Sequence, residues 1–216
     1  MAIVACNGDG GDGGGDGTAD PTGRPQAADI TPSATQVDVG ALDPAVFSAA
    51  VLRLDDFGAG FEGGAQIPPG GPGTIGLNAF YTDGKIRVQS SVVSFSELAP
   101  AEDQFQENRM ILPGNGAIES NYTIPNMETA YKYRMYNPDG LAAFGISDRF
   151  IVFIFLQALD RQNPDIRATD EPYFRRLVDI VGNRMKPLLD DPLAVKPVEG
   201  VIVAPPVATP QPSATP

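Results

Sequence analysis

Residues 131–156 read Tyr131-Lys132-Tyr133-Arg134-Met135-Tyr136-Asn137-Pro138-Asp139-Gly140-Leu141-Ala142-Ala143-Phe144-Gly145-Ile146-Ser147-Asp148-Arg149-Phe150-Ile151-Val152-Phe153-Ile154-Phe155-Leu156. Pro138 and Gly140 stand where a type I turn wants them, so the stretch predicts an antiparallel hairpin, with a second tight turn near Asp148-Arg149. Successive side chains of a strand point to opposite faces. Tyr131, Tyr133 and Met135 therefore share a face with Ala142, Phe144 and Ile146, and Ile151, Phe153 and Phe155 extend it. The other face carries Lys132, Arg134, Ala143, Gly145, Val152, Ile154 and Leu156. The third strand is apolar on both sides, the pattern of a central strand covered on each face. Ala143 and Gly145 are small enough for a covering helix to approach closely.

That cover is predicted from about Glu171 to Leu189. Phe174, Leu177, Val178, Val181, Met185 and Leu188 recur at helical spacing there, Asp170 is placed to cap the helix, and the pattern falters at Pro187, where the helix is expected to end. Upstream, Asn78 to Tyr81 and Lys85 to Phe95 flank Asp83-Gly84, a hairpin signal because both residues tolerate positive φ. In the second of these strands Ile86, Val88, Ser90, Val92 and Ser94 face one way, and Arg87, Gln89, Ser91, Val93 and Phe95 the other. Pro100 opens a short acidic helix to about Asn108, anchored by Phe105. Asp43-Pro44 reads as a helix start, with Pro at the first helical position. The Gly/Pro-rich segment from Gly63 to Gly73 shows no regular element. The expected fold is α+β, a five-stranded antiparallel sheet in the order α-β-β-α-β-β-β-α.

The 24 Gly and 21 Pro cluster at the ends of the 216-residue chain, so the whole of it cannot form one core. The organisation read from composition is a terminal segment 1–6, a Gly/Asp-rich tether 7–43, a single domain 44–192 and a Pro-rich tail 193–216, the tether and tail expected to be disordered. The domain, roughly 150 residues, is of common size. Of the net charge of −12, half lies in residues 1–43, where seven Asp face Arg24 alone. An acidic tether repels phosphate backbones and anionic headgroups, which argues against nucleic acid as a partner. The longest apolar run, Phe150 to Leu156, is far short of a membrane span.

Cys6 is the only cysteine, so there is neither a disulfide framework nor a cysteine metal site. Ile3-Val4-Ala5-Cys6 resembles the lipobox of bacterial lipoproteins. The resemblance implies a diacylglycerol on the Cys6 thiol, Cys6 as the mature N-terminus, attachment to the cell membrane through the lipid, and an extracytoplasmic location. Asn7-Gly8-Asp9-Gly10-Gly11-Asp12 beyond it is the flexible polar spacer such an anchor uses. Five residues precede Cys6, without a basic or apolar signal segment; the reading expects that segment upstream, or already trimmed. Asp9, Asp12 and Asp16 are spaced wrongly for a calcium loop, and no Glu closes one.

A second resemblance rests on Leu52-Arg53-Leu54-Asp55-Asp56-Phe57-Gly58-Ala59-Gly60-Phe61. Together with the strand–helix pair and C-terminal meander, it looks like exported actinobacterial and chloroflexus-type domains of unknown function, some of them lipoproteins and some sensor domains of receptor kinases. Their usual motif is Leu-x-x-Asp-Leu-Pro-x-Gly-Phe/Trp. Here Phe57 replaces Leu and Gly58 replaces Pro. The similarity spans about residues 45–190 and implies a fold and a location, without a reaction.

The chain contains no His, which removes the usual general base and the commonest metal ligand. No nucleophile elbow, phosphate loop or dinucleotide fingerprint is present, so no catalytic residue, cofactor or metal is assigned. Asp55-Asp56 is the most conspicuous carboxylate pair, but adjacent side chains diverge. Glu102, Asp103 and Glu107 read as the wet face of a helix, and Asn121-Tyr122-Thr123 fits a glycosylation acceptor that would be idle in a bacterial lipoprotein. Lys132 and Arg134 form a basic pair on one sheet face, the candidate contact for an anionic ligand or a partner, against the plainer reading of stems snorkelling over a helix. The expected function is non-catalytic binding of an envelope protein or small ligand. The alternatives are an accessory subunit of a larger membrane complex and a carboxylate-only hydrolase. Replacing Cys6 by Ser is expected to abolish labelled palmitate uptake in a bacterial host and move the chain to the aqueous phase of a detergent partition. Undiminished labelling of Cys6→Ser would sink the anchor.

Overall fold

The computed structural model describes residues 42–68, 71, 73–111, 116–119, 121–201 and 203–204, apart from the side chains of 111, 119, 203 and 204. Cys6 and nearly all of the 7–43 tether lie outside the described residues.

Two antiparallel meanders build the fold. The first is β1 (Glu62–Gln66), β2 (Thr74–Thr82) and β3 (Ile86–Phe95); the second is β4 (Gly116–Glu119), β5 (Thr129–Tyr136), β6 (Asp139–Ser147) and β7 (Phe150–Ala158). Helix α1 (Leu98–Ile111) joins them, and they meet where β3 pairs antiparallel with β7. The sheet order is β4-β5-β6-β7-β3-β2-β1-β8, with the two-residue β8 (Val203–Ala204) added parallel to β1. Helix α2 (Glu171–Asp190) follows the second meander, and three 3₁₀ turns lie at Pro44–Ala49, Leu54–Asp56 and Ile166–Thr169.

The α+β class holds, but the five-stranded sheet does not: seven strands run antiparallel, and the element order differs. Glu62–Gln66 is Glu-Gly-Gly-Ala-Gln and Gly116–Glu119 is Gly-Ala-Ile-Glu. Neither carries the β-branched alternation that marks a strand, and both become strands through the neighbour they pair with. The helix expected at Pro44 is a six-residue 3₁₀ turn, although Asp43 does cap it by accepting from the Ala45 N–H.

The central meander follows its pattern. Tyr131 pairs with Phe144 and Tyr133 with Ala142, while Phe144 faces Phe153 and Ala142 faces Phe155. The turn is not type I. The Tyr136–Asp139 pair closes a two-residue loop, Asn137-Pro138, whose peptide is cis. The predicted faces survive because only a one-residue slip would exchange them. In the β2–β3 hairpin, Gly84 supplies the positive φ and the Asp83 side chain accepts from the Lys85 and Ile86 N–H groups. Arg167 grips Asp83 at 2.7 Å and Asp165 at 2.8 Å, tying that hairpin to the turn before α2. The Arg167 hydrogen bonds hold the Asp165 carboxyl down at about 2.

Each face of the sheet has its own core. On one, α2 buries Phe174, Leu177, Val178, Val181, Met185 and Leu188 against Val88, Val92, Val152, Ile154 and Leu156. Each large side chain so buried contributes about 1.5–3 kcal/mol. Asp170 caps α2, and the helix passes Pro187 to Asp190 because the burial of Leu188 outweighs one lost hydrogen bond. On the other face, α1 inserts Ala101 and Phe105 over Phe95, Tyr131, Phe144, Ile146 and Ile151. The packing continues past residue 192. Val195 and Val201 lie on the α2-side core, and the Val198 N–H donates to Ser48 Oγ at 2.9 Å.

Gly145 admits a loop and not the expected helix. A Cβ there would meet Met127 and Ile124, and one on Gly182 of α2 would meet the same loop at Pro125 and Ile124. Ile124–Met127 is thus clasped between sheet and helix, with Asn126 Nδ2 donating to the Gly182 carbonyl at 2.9 Å. Gly182→Ala is expected to destabilise the chain by about 1–3 kcal/mol in urea unfolding, because the Cβ would press on the Pro125 carbonyl 2.8 Å away. Gly58→Ala, which opens into free space, should change stability by less than about 1 kcal/mol.

Candidate functional site

Lys132 and Arg134 do stand together, on the α2 side of β5, two residues apart. Lys132 is already committed. Its Nζ lies 2.9 Å from Glu171 Oε1, in the first turn of α2, and 5.5 Å from the centroid of Tyr122. Arg175 lies at 5.4 Å over the same ring and also donates to the Thr123 carbonyl. The cluster fastens the 122–123 segment to α2. Arg134 is half-buried, and its Nε has no hydrogen-bond partner among the described residues.

Asp55 and Asp56 part company. Asp55 is exposed, whereas the Asp56 side chain is only 9% exposed and is held by a two-pronged Arg184 guanidinium, both contacts at 2.7 Å. The Arg53 N–H donates to the same carboxylate at 2.7 Å, and Arg184 also reaches the Val51 carbonyl. Arg53 turns its own guanidinium to the Ser48 and Ala49 carbonyls. Burial, then the neighbouring Arg184 charge, lowers the Arg53 pKa; burial, then the Asp56 charge, raises that of the Tyr81 phenol. Tyr81 Oη donates to the Leu52 carbonyl, and Phe57 stacks on Phe61 at 4.7 Å. Arg53, Asp56 and Phe57 of this motif fasten the N-terminal segment to β2 and α2, while Leu54, Asp55 and Gly58–Gly60 are exposed. Asp56 is an anchor here, not half of a free acid–base pair.

The opposite side of the sheet offers more room. Helix α1 lies over the end containing Phe95, Ile146 and Ile151; at the other end Tyr133, Ala142 and Ser91 are still buried, and the part on β1, β2, β3 and β7 is partly exposed. Strand register lays this part out in rows. The outermost row is Glu62, Thr82, Arg87 and Gln157; the next is Gly64, Phe80, Gln89 and Phe155; the third is Gln66, Asn78, Ser91 and Phe153. Glu62 and Arg87 are exposed, and Phe80, Gln89, Phe153, Phe155 and Gln157 are half-buried. A shallow depression of about 340 Å³ is lined by Glu62, Gly63, Phe80, Tyr81, Thr82 and Arg87. A run of ring contacts leads from the covered core to this surface: Tyr131 stacked on Phe144 at 4.9 Å, Phe144 tilted against Phe153 at 4.6 Å, and Phe153 stacked on Phe155 at 5.8 Å. Burial raises the pKa of the Tyr131 phenol at the covered end.

Neither a family model nor a curated protein matches the chain. Among the described residues, no helix is long and apolar enough to cross a membrane. The strand pattern of the sequence puts Arg87 and Gln89 on the face they occupy, and Phe153 and Phe155 on the apolar face where they pack, partly buried, against the α1-side core; Phe80 is the residue that pattern does not single out. The Asp83-Gly84 hairpin carries the signal that was available, since its register puts Phe80 opposite Gln89. Arg184→Met is expected to cost about 2–4 kcal/mol by leaving the Asp56 charge buried and unpaired, while Asp55→Asn should change chemical unfolding by less than about 0.5 kcal/mol.

Proposed function

We propose that the chain is a lipid-anchored, extracytoplasmic binding domain that takes its ligand on the open half of the sheet. The observation that carries this reading is the partly exposed aromatic surface of Phe80, Phe153 and Phe155, set among amide side chains beside a depression. A sheet face stripped of helical cover costs apolar burial, and a concave mixed surface of rings and polar groups is the form that ligand sites take. The anchor rests on Ile3-Val4-Ala5-Cys6 and the Gly/Asp spacer, which would hold such a surface clear of the bilayer.

The reading is tested by amide NMR of the full chain titrated with a library of small aromatic and amide fragments. Shifts are expected to gather at Phe80, Gln89 and Phe155. Shifts gathering instead at Lys132, Arg134 and Tyr122 would move the site to the α2 side and end this assignment.

A further inference from the structure

The chemistry of the open face narrows its ligand, given the binding reading above. Along the second row the side chains run ring, amide, ring: Phe80 on β2, Gln89 on β3 and Phe155 on β7. Neighbouring strands lie about 4.8 Å apart, so Phe80 and Phe155 emerge about 10 Å apart with the Gln89 amide between them. The flanking rows add the Gln157 amide on one side, where the Thr82 hydroxyl is engaged in the hairpin turn, and the Asn78 amide on the other, beside the buried Ser91 and the ring of Phe153. Gln89 Nε2 donates to Ser91 Oγ at 3.2 Å, which orients its carbonyl oxygen as a free acceptor. The charged side chains of these rows are Glu62 and Arg87, at the rim, and they cancel.

That balance decides between occupants. An anionic ligand or nucleic acid would meet no net positive charge. An amphipathic helix needs a continuous apolar groove, and here Gln89 and Ser91 on β3 separate Phe80 from the Phe153–Phe155 pair. Four strands and three rows cover roughly 400 Å² at ordinary sheet spacings, about half of what each partner of a stable protein dimer commits. A neutral polyhydroxylated chain meets all three conditions. Its ring C–H faces lie on aromatic faces, and its hydroxyls both donate to and accept from side-chain amides. The spacing of the two phenylalanines is close to two sugar units of an extended glycan. We propose that this face binds a neutral glycan, with Phe80 and Phe155 as ring platforms and Gln89, Gln157 and Asn78 as its hydrogen-bonding partners.

The experiment uses the full chain against neutral hexasaccharides of glucose, N-acetylglucosamine and mannose, alongside a uronic-acid hexasaccharide, by calorimetry and amide NMR. At least one neutral sugar should bind, with little dependence on salt and with shifts confined to β1, β2, β3 and β7. Phe80→Ala and Phe155→Ala should each weaken it about tenfold or more, the size of an aromatic hot spot, and Gln89→Ala several-fold. Their amide spectra check that the variants are folded, and Phe80→Ala decides the matter if Phe155→Ala is not. Binding of the uronic-acid chain alone, with steep salt dependence, overturns the neutral-glycan assignment. Fragment shifts at Phe80 and Phe155 with no response to any neutral sugar overturn it too, and leave the binding face standing. Silence towards both fragments and sugars removes the two together.

Discussion

Strand β7 carries large apolar side chains on both of its faces, and it pairs along its whole length with β6 on one side and β3 on the other. A strand of that composition is stable only where water is excluded above and below it. Its requirement organises the molecule. It holds the two meanders edge to edge and calls for a layer on each side, which α2 and α1 supply. Val152, Ile154 and Leu156 answer to one layer; Ile151, Phe153 and Phe155 face the other.

The two layers are unequal, and the inequality shapes the surface. Helix α2 presents a full apolar stripe and is joined by the Pro44–Ala49 turn, the clasped Ile124–Met127 loop and the returning chain at Val195 and Val201. Helix α1 presents little more than Ala101 and Phe105, and its other side chains are mostly polar. One short row of contacts covers one end of a sheet and no more. The run of rings from Tyr131 to Phe155 therefore begins in the core and ends half in water, and the open rows of β1, β2, β3 and β7 lie at that end. The same shortage of apolar residues that makes α1 a poor cover produces the candidate site.

Charged groups in this fold mainly act as ties between distant segments. Arg184 with Asp56 joins α2 to the first turns of the domain, Arg167 with Asp83 joins a hairpin to the turn before α2, and Lys132 with Glu171 joins β5 to the helix start. The Arg184–Asp56 tie is the best shielded from water, and there losing one partner costs more than the pair itself contributes. Asp56 and Lys132, from the most conspicuous acidic and basic pairs of the sequence, are thereby engaged structurally, and on the partly exposed rows Glu62 and Arg87 offset one another. This is the physical ground for a neutral, hydroxyl-rich ligand.

Several features follow from the sequence alone: the faces of the 131–156 meander, the Asp83-Gly84 hairpin, the caps at Asp43 and Asp170, and the span of α2. Each is local, arising from side-chain period, turn chemistry or a cap within a few residues. The clustering of Lys132 and Arg134 on one face was legible for the same reason. Tertiary structure alone decided the strands β1 and β4, whose Gly-rich sequences have no strand signal until a neighbour offers hydrogen bonds. It alone placed a loop against Gly145 and Gly182, turned Asp56 towards a residue 128 positions away, and carried the packing beyond residue 192. It also decided which half of an apolar face stays open, because that depends on how far α1 reaches across strands that are distant in sequence. Periodicity says which way Phe80 and Phe155 point; only the packing says that they stay partly exposed.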